Sequence, residues 1–212
     1  MPFVVAIDGL AASGKGTIAR GLARHLGFRY LDTGLIYRAV AMLAFKWGGE
    51  KFFEARALEI AKTFNAELLV LKNLRSSEAG RMASEIARNK EIRETLTTFQ
   101  RNFSRAEPGV VMDGRDIGTV ICPEAEVKIF VTADLVVRAK RRYNELKEIE
   151  PNLLFKKIHK DLAERDEKDI NRKVSPLKIS DDAHLIDTSE LSIEASVAKA
   201  IKLVDKKNLV NG

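Results

Sequence analysis

The chain has 212 residues, of which 45% are hydrophobic and 31% are charged, as is typical of a soluble globular domain rather than a disordered chain. Cys122 is the only cysteine, so we expect no disulfide within the chain. Residues 1–10 lack the basic flank of a signal peptide, and no window approaches the roughly 18 apolar residues of a membrane span. We therefore expect a cytoplasmic protein without a membrane partner. The formal net charge of +6 suits either nucleic acid or a phosphorylated small molecule as a partner.

Short apolar runs alternate with helical periodicities along the chain. In chain order the pattern predicts a strand at 3–7, a helix at 16–26, a strand at 28–31, helices at 33–47 and 52–64, a strand at 66–71, a long helix or a broken pair at 84–103, strands at 110–112 and 127–131, a basic helix after Asp134, a helix at 152–172, a strand at 185–186 and a helix at 192–204. This alternation predicts one α/β domain with a central parallel sheet covered by helices on both faces.

The stretch after the first predicted strand has the spacing of a phosphate-binding loop. It reads Gly9-Leu10-Ala11-Ala12-Ser13-Gly14-Lys15-Gly16-Thr17. Lys15 would reach the β- and γ-phosphates of a nucleotide, and the Thr17 hydroxyl would bind Mg²⁺. A plain strand-to-helix turn with an exposed lysine is the alternative. The centre of the loop lacks glycine, so a positive φ at Ala12 or Ser13 would cost on the order of 1 kcal/mol.

A carboxylate follows the predicted strand at 110–112. Asp113 could hold Mg²⁺ directly or through water, because hard oxygen donors suit that ion. Many buried strands also end in an aspartate that serves only as a turn or cap residue. Both interpretations of Asp113 stay open at the level of the sequence.

Arginines are numerous and are spread over several segments. A stripe with helical spacing begins apolar and becomes charged; its members are Leu154, Ile158, Leu162, Arg165, Asp169 and Arg172. Arg138, Arg141 and Arg142 share one face of the preceding helix. Each set could be a solvent-exposed helix face with ion pairs, or it could be a surface that binds phosphates.

The number of arginines also bears on the kind of acceptor. A kinase with an alcohol acceptor needs a carboxylate base, whereas a kinase with a phosphate acceptor needs only cations, and the many arginines favour the second type.

Three segments resemble the bacterial cytidylate kinases, namely 32–38 (DTGLIYR), 113–120 (DGRDIGTV) and 165–172 (RDEKDINR). Residues 75–84 and 92–94 are also similar to the nucleotide-binding arm of that family, so the resemblance covers nearly the whole chain. It implies a P-loop kinase fold in one domain, 1–212, with a small arm at about 33–105 that binds the nucleoside monophosphate and a short helical lid at about 138–180. It also implies transfer of the γ-phosphate of ATP to CMP or dCMP with Mg²⁺, without a nucleic-acid partner, and we expect a monomer.

The resemblance assigns a role to individual residues. The residues expected to be catalytic are Lys15, Arg115 and Arg172. The donor nucleotide would contact Gly9, Leu10, Ala11, Ala12, Ser13, Gly14, Lys15, Gly16, Thr17, Arg138, Arg141 and Arg142, and Mg²⁺ would be held by Thr17 and Asp113. The acceptor phosphate would contact Arg38, Arg115 and Arg172, the sugar Arg165 and Asp169, and the base Ser84, Arg93 and Asp116, with Thr33 also in the acceptor site. A carboxylate such as Asp116 accepts from the amino group of cytosine but faces a carbonyl in uracil.

The segment from about 64 to 75 is shorter than the arm of that family. We therefore expect a trimmed arm, reduced to one hairpin, and looser selectivity for the monophosphate. Two alternatives to a cytidylate kinase remain. One is a small-metabolite kinase of the shikimate or gluconate type that uses Asp32 as its base, and the other is a basic nucleic-acid-binding module with a vestigial loop.

Overall fold

Five parallel strands form the centre of the fold. They are β1 (Phe3–Gly9), β2 (Arg29–Asp32), β3 (Gly109–Gly114), β4 (Val127–Thr132) and β5 (His184–Asp187), in the order β2-β3-β1-β4-β5. The register pairs Ile7 of β1 with Asp113 of β3, and Asp113 with Asp32 of β2. Three strands therefore end together at one edge of the sheet, the edge where open α/β sheets bind ligands.

This computed structural model describes residues 2–51 and 53–211, with side chains described up to residue 207. The helices are α1 (Lys15–Leu26), α2 (Thr33–Gly48), α3 (Phe53–Lys62), α4 (Ser77–Ile86), α5 (Lys90–Phe103), α6 (Leu135–Leu146), α7 (Phe155–Asn171) and α8 (Ile193–Asn211). A 3₁₀ helix (Ala66–Val70) precedes α4, and a π-helical turn (Ile117–Ile121) follows β3. In the described part of the chain, no helix is both long and apolar enough to cross a membrane.

The three central strands β3, β1 and β4 are buried on both faces because successive side chains alternate between two cores. Ala6 packs with α2 to α5 on one face, together with Val110 and Met112. Val5 and Ile7 pack on the opposite face, where α1 and α8 supply Ile18, Leu22 and Val204 among others. A third, smaller cluster joins the loop residue Ala11 to α6 and α7. The predicted parallel sheet with helices on both faces is confirmed.

Most element boundaries follow from local chemistry that the sequence displays. Gly27 ends α1 in the left-handed conformation, with φ of 67°. The carboxylate of Asp134 accepts from the backbone N–H groups of Val136 and Val137 and begins α6. The predicted helix at 84–103 is a broken pair, because Asn89 caps a new helix after α4 has ended.

The predicted strand at 66–71 is wrong, and so is the hairpin allowed for in the shortened arm. The Asn65 side chain accepts from the N–H of Glu67, which closes a helical turn, and the run forms the 3₁₀ helix instead. Leu68 and Leu69 pack against the core beneath α2. No strand of the described residues lies beside this segment to pair with it.

Candidate active site

The loop between β1 and α1 forms one wall of a cleft with a volume of about 560 Å³. Gly9 has φ of 149°, and a Cβ there would lie 2.0 Å from the carbonyl oxygen of Val131 on β4, so only glycine fits. Gly14 has φ of 91° and begins α1 without a side-chain cap. The first turn of α1 therefore offers backbone N–H groups and the positive end of the helix dipole to an anion.

The centre of this loop is strained in the way that its composition suggested. Ala12 adopts a positive φ of 57°, a conformation that alanine rarely takes, whereas Ser13 does not. Other parts of the fold hold the loop in place. Asp166 on α7 accepts from the N–H of Ala11 at 3.2 Å, Arg138 on α6 donates to the Ala11 carbonyl at 3.2 Å, and Thr188 donates to the Ser13 carbonyl at 2.9 Å.

Lys15 lies at the base of the cleft. Its ammonium group donates to the carbonyl of Leu10 at 3.1 Å. Burial, followed by the charge of Arg115, lowers the pKa of Lys15 to about 7. A phosphate in the cleft would reverse that shift, because an anion stabilises the charged ammonium.

Asp113 at the end of β3 and Thr17 on the first turn of α1 both line the cleft and carry side-chain oxygen atoms. Asp113 is buried, and Tyr30 donates to one of its carboxylate oxygens at 2.7 Å, while a Cβ on Gly16 would lie 3.8 Å from the other oxygen. Thr17 follows Gly16 on the first turn of α1. Burial and the nearby Asp32 carboxylate raise the pKa of Asp113 to about 7. No group of three potential metal-binding side chains exists among the described residues, so this pair fits an ion that takes its other ligands from phosphates and water, as Mg²⁺ does.

Side chains from α2, from α7 and its C-terminal end, and from the turn after β3 form a second wall of the cleft. Arg115 donates to Asp169 at 2.8 Å, and Arg172 lies 3.6 Å from Asp116. Arg165 is half-buried, and desolvation together with the charge of Arg115 lowers its pKa to about 10. Burial and then the charge of Arg165 lower the pKa of Arg38 to about 9. The positive charges of these arginines repel one another, so an anion bound between them would reduce this electrostatic repulsion.

The cations that line the cleft outnumber the carboxylates two to one. The ten basic residues are Lys15, Arg20, Arg38, Arg75, Arg93, Arg115, Arg141, Arg142, Arg165 and Arg172, and the five acidic residues are Asp32, Asp113, Asp116, Glu145 and Asp169. This excess of positive charge produces an electrostatic potential that attracts a strongly anionic ligand. The cleft is large enough for small-molecule ligands.

A buried polar set also lines the cleft. Arg93 forms an ion pair with Asp116 and donates to the Ala87 carbonyl at 3.2 Å, and its guanidinium carbon lies 5.4 Å from the ring centre of Tyr37. The Ser84 hydroxyl is buried and has no hydrogen-bond partner within the described chain. Unsatisfied polar groups of this kind are costly unless a ligand completes them.

The structure brings most of the predicted site residues to this one cleft. Three of them do not line it: Gly9, Leu10 and Arg138. Gly9 and Leu10 shape the loop from behind. Arg138 is buried and donates to Asp166 and to the carbonyls of Ala11 and Ala133, so its contact is with the loop.

Several residues of the site were not found from the sequence. Asp8 accepts from the N–H groups of Ile117 and Gly118 at 2.8 Å each, which holds the turn after β3 next to the loop. Asp166 lies off the stripe formed by Arg165 and Asp169, on the side of α7 that faces the loop. Thr188 follows β5 and accepts from Arg141 at 2.9 Å. A search for polar residues at the carboxyl ends of all predicted strands would have found Asp8 and Thr188.

Comparison with known proteins gives consistent results over the whole length. The sequence profile of the family described as "Cytidylate kinase" matches residues 5–206. The cytidylate kinase of Bartonella tribocorum is 48% identical over 204 residues, which cover 96% of this chain and 95% of that protein. The cytidylate kinase of Rhodopseudomonas palustris is 49% identical over 202 residues, which cover 95% of each. The solved shikimate kinase of Bacteroides thetaiotaomicron aligns over 96% of this chain and 98% of its own with a TM-score of 0.51, but at 14% identity this likeness concerns the fold alone.

Proposed function

The chain belongs to the cytidylate kinase family, and from that membership we propose how its cleft is divided between a phosphate donor and a phosphate acceptor. The enzyme is a nucleoside monophosphate kinase, a phosphotransferase that acts on cytidylate. The observation that supports the division is that loop residues 11–17 and the acceptor arginines line one cleft. We assign ATP to the loop and CMP or dCMP to the arginines.

The donor phosphates lie along the loop and the first turn of α1 in this proposal. The uncapped N-terminus of α1 and the ammonium of Lys15 support that placement. Arg141 and Arg142 line the same cleft and supply further positive charge. Arg138 contributes indirectly, because its hydrogen bond to the Ala11 carbonyl supports the loop.

Thr17 and Asp113 would hold the Mg²⁺ ion, and Tyr30 would orient the Asp113 carboxylate through its hydrogen bond. A bound Mg²⁺ supplies charge neutralisation at the transferred phosphate. Only oxygen donors are present in this pair, which agrees with the preference of that ion.

The acceptor phosphate would be held by Arg38, Arg115 and Arg172, and the sugar by Arg165 and Asp169. The partly unpaired guanidiniums of Arg165 and Arg172 support this assignment. Ser84, Arg93 and Asp116 would contact the base, with Thr33 also in the acceptor site. The Asp116 carboxylate accepts from the amino group of cytosine and repels the carbonyl at the same position of uracil.

The reaction needs no general base, because the attacking oxygen belongs to a phosphate. Lys15, Arg115 and Arg172 bring two anions together and stabilise the charge that spreads over the transferred group. A kinase of the shikimate type would instead require a free carboxylate base, and Asp32 forms an ion pair with Arg75 at 3.3 Å. Family membership and this pairing both favour the phosphate acceptor.

A coupled assay with ATP, Mg²⁺ and a panel of nucleoside monophosphates tests the proposal. We expect turnover with CMP and dCMP and much slower turnover with UMP, whereas no turnover with CMP or dCMP would overturn it. The same panel checks the looser selectivity expected from the shortened arm. We further propose that the protein is cytoplasmic, because the free thiol of Cys122 is typical of a reducing compartment. We also propose that it is a monomer, which light scattering tests by measuring the mass of the particle.

A further inference from the structure

The segment that leads into α4 receives hydrogen bonds from both sides of the cleft. Arg38 on α2 donates to the carbonyls of Leu74 at 2.7 Å and Ser76 at 3.4 Å. Arg142 on α6 donates to the carbonyls of Arg75 at 2.7 Å and Ser76 at 3.4 Å. The Ser76 carbonyl therefore accepts from both arginines. Arg38 belongs to the acceptor wall and Arg142 to the lid.

A carboxylate from the lid reaches the same segment. Glu150, in the loop between α6 and α7, accepts from the backbone N–H of Ser77 at 2.9 Å. Ser77 begins α4, and the first N–H groups of a helix have no partner within it. The Ser76 hydroxyl accepts from the N–H of Ala79. Glu150 therefore adds a negative charge and a second hydrogen bond at the positive end of α4.

The helix held in this way carries part of the acceptor site. Ser84 lies on α4 and lines the cleft. At Gly80 a Cβ would lie 3.3 Å from Nη2 of Arg38 and 3.5 Å from Nη1 of Arg165, so both guanidiniums lie against the backbone of α4. A displacement of α4 would thus move Ser84 and the surroundings of two acceptor arginines together.

We propose that Glu150 is a positioning residue that couples occupation of the donor site to affinity for the nucleoside monophosphate. This inference rests on the proposed function, because it takes Arg142 as a lid residue of the donor site and α4 as part of the acceptor site. When the lid closes over a triphosphate, Glu150 fixes the N-terminus of α4 and so preorganises the acceptor wall. Linkage requires the effect to be reciprocal, so the monophosphate tightens binding of the donor by the same factor.

Calorimetric titration of the full chain measures the Kd for CMP with and without a saturating non-hydrolysable ATP analogue and Mg²⁺. The coupling is the Kd without the analogue divided by the Kd with it. We expect the analogue to tighten CMP binding in the native chain and the ratio to fall about fivefold in Glu150→Ala. Glu150→Gln keeps an acceptor oxygen but loses the charge, so its ratio should lie between the two. Glu148→Gln is the matched control: Glu148 is exposed, lies in the same loop and has no polar partner among the described residues, and its ratio should stay native.

Two outcomes would overturn the coupling role. The first is equal CMP affinity with and without the analogue in the native chain. The second is a Glu150→Ala variant that weakens both affinities, or lowers Tm, without changing their ratio, since a merely structural role predicts that result. Native CMP turnover with an unchanged ratio overturns this inference alone, whereas absence of CMP turnover in the native chain overturns the proposed function.

Discussion

The two walls of the cleft are built in different ways. The donor wall is one contiguous stretch, residues 9–17, whose chemistry is mainly that of the backbone and whose shape depends on Gly9 and Gly14. The acceptor wall is made of side chains from the turn after β3 and from α2, α5 and α7, held by ion pairs such as Arg115 with Asp169 and Arg93 with Asp116. A backbone site tolerates substitution of most side chains, whereas a site of paired side chains depends on each partner.

Lys15 is the exception on the donor wall, and its removal should have the largest effect on activity. Lys15→Ala deletes the half-buried ammonium that would contact the transferred phosphate, so we expect kcat to fall by about 10³-fold. Steady-state kinetics with ATP and CMP measures this loss. Lys202→Ala, an exposed lysine on α8, should leave kcat native. A Lys15→Ala enzyme that retains most of its kcat would remove the basis for placing the donor phosphates at the loop.

Asp116 tests the acceptor wall, where one side chain serves both structure and recognition. Asp116→Ala should lower kcat/KM for CMP by about 100-fold and reduce the preference for CMP over UMP, because no carboxylate then accepts from the amino group or repels the carbonyl. The same change removes the carboxylate partner of Arg93 and one of the two carboxylates beside Arg172, so the free energy of unfolding should also fall.

The selectivity ratio separates these two effects of Asp116→Ala. Loss of stability lowers kcat/KM for both substrates alike, but only a contact with the base changes the ratio of CMP to UMP. An unchanged ratio would therefore assign Asp116 to structure alone.

The difference between the walls also explains what could be predicted from the sequence. The loop was found because its residues are adjacent, and Arg165, Asp169 and Arg172 were found because one helix face brings them together. The contacts of Asp8 with Ile117 and of Arg142 with Arg75 join segments far apart in the chain, and no local pattern reports them. The apolar run at 66–71 is too short to distinguish a strand from a helix without knowing whether a partner strand lies beside it.

Asp8 joins the two walls, and its titration should be visible in the stability of the protein. It ends β1 on the donor side and holds Ile117 and Gly118 on the acceptor side. Burial raises the pKa of Asp8 from 3.8 to about 6. Between about pH 4 and 6 the folded chain then binds more protons than the unfolded chain, so this group's contribution to the free energy of unfolding decreases as the pH rises through that window.

The comparison of the native chain with Asp8→Asn isolates that contribution, because the variant cannot titrate at this position. Denaturant unfolding should show that the advantage of the native chain over Asp8→Asn is larger at pH 4 than at pH 7 by roughly 2 kcal/mol. Glu148→Gln, which changes an exposed carboxylate, should follow the native profile. Parallel profiles for the native chain and Asp8→Asn would contradict a raised pKa at Asp8.

The smallest effect concerns the backbone of the donor wall itself, where two adjacent alanines should respond in opposite directions. Ala12 holds a positive φ of 57°, which costs an alanine roughly 1–2 kcal/mol. Ala12→Gly removes that cost but makes the unfolded chain more flexible, so the free energy of unfolding should rise by about 0.5 kcal/mol. Ala11 has no positive φ, and Ala11→Gly should lower the same quantity by about 0.5–1 kcal/mol. Denaturant unfolding of both variants measures the difference, and a loss of stability in Ala12→Gly equal to that in Ala11→Gly would mean that the loop carries no strain at Ala12.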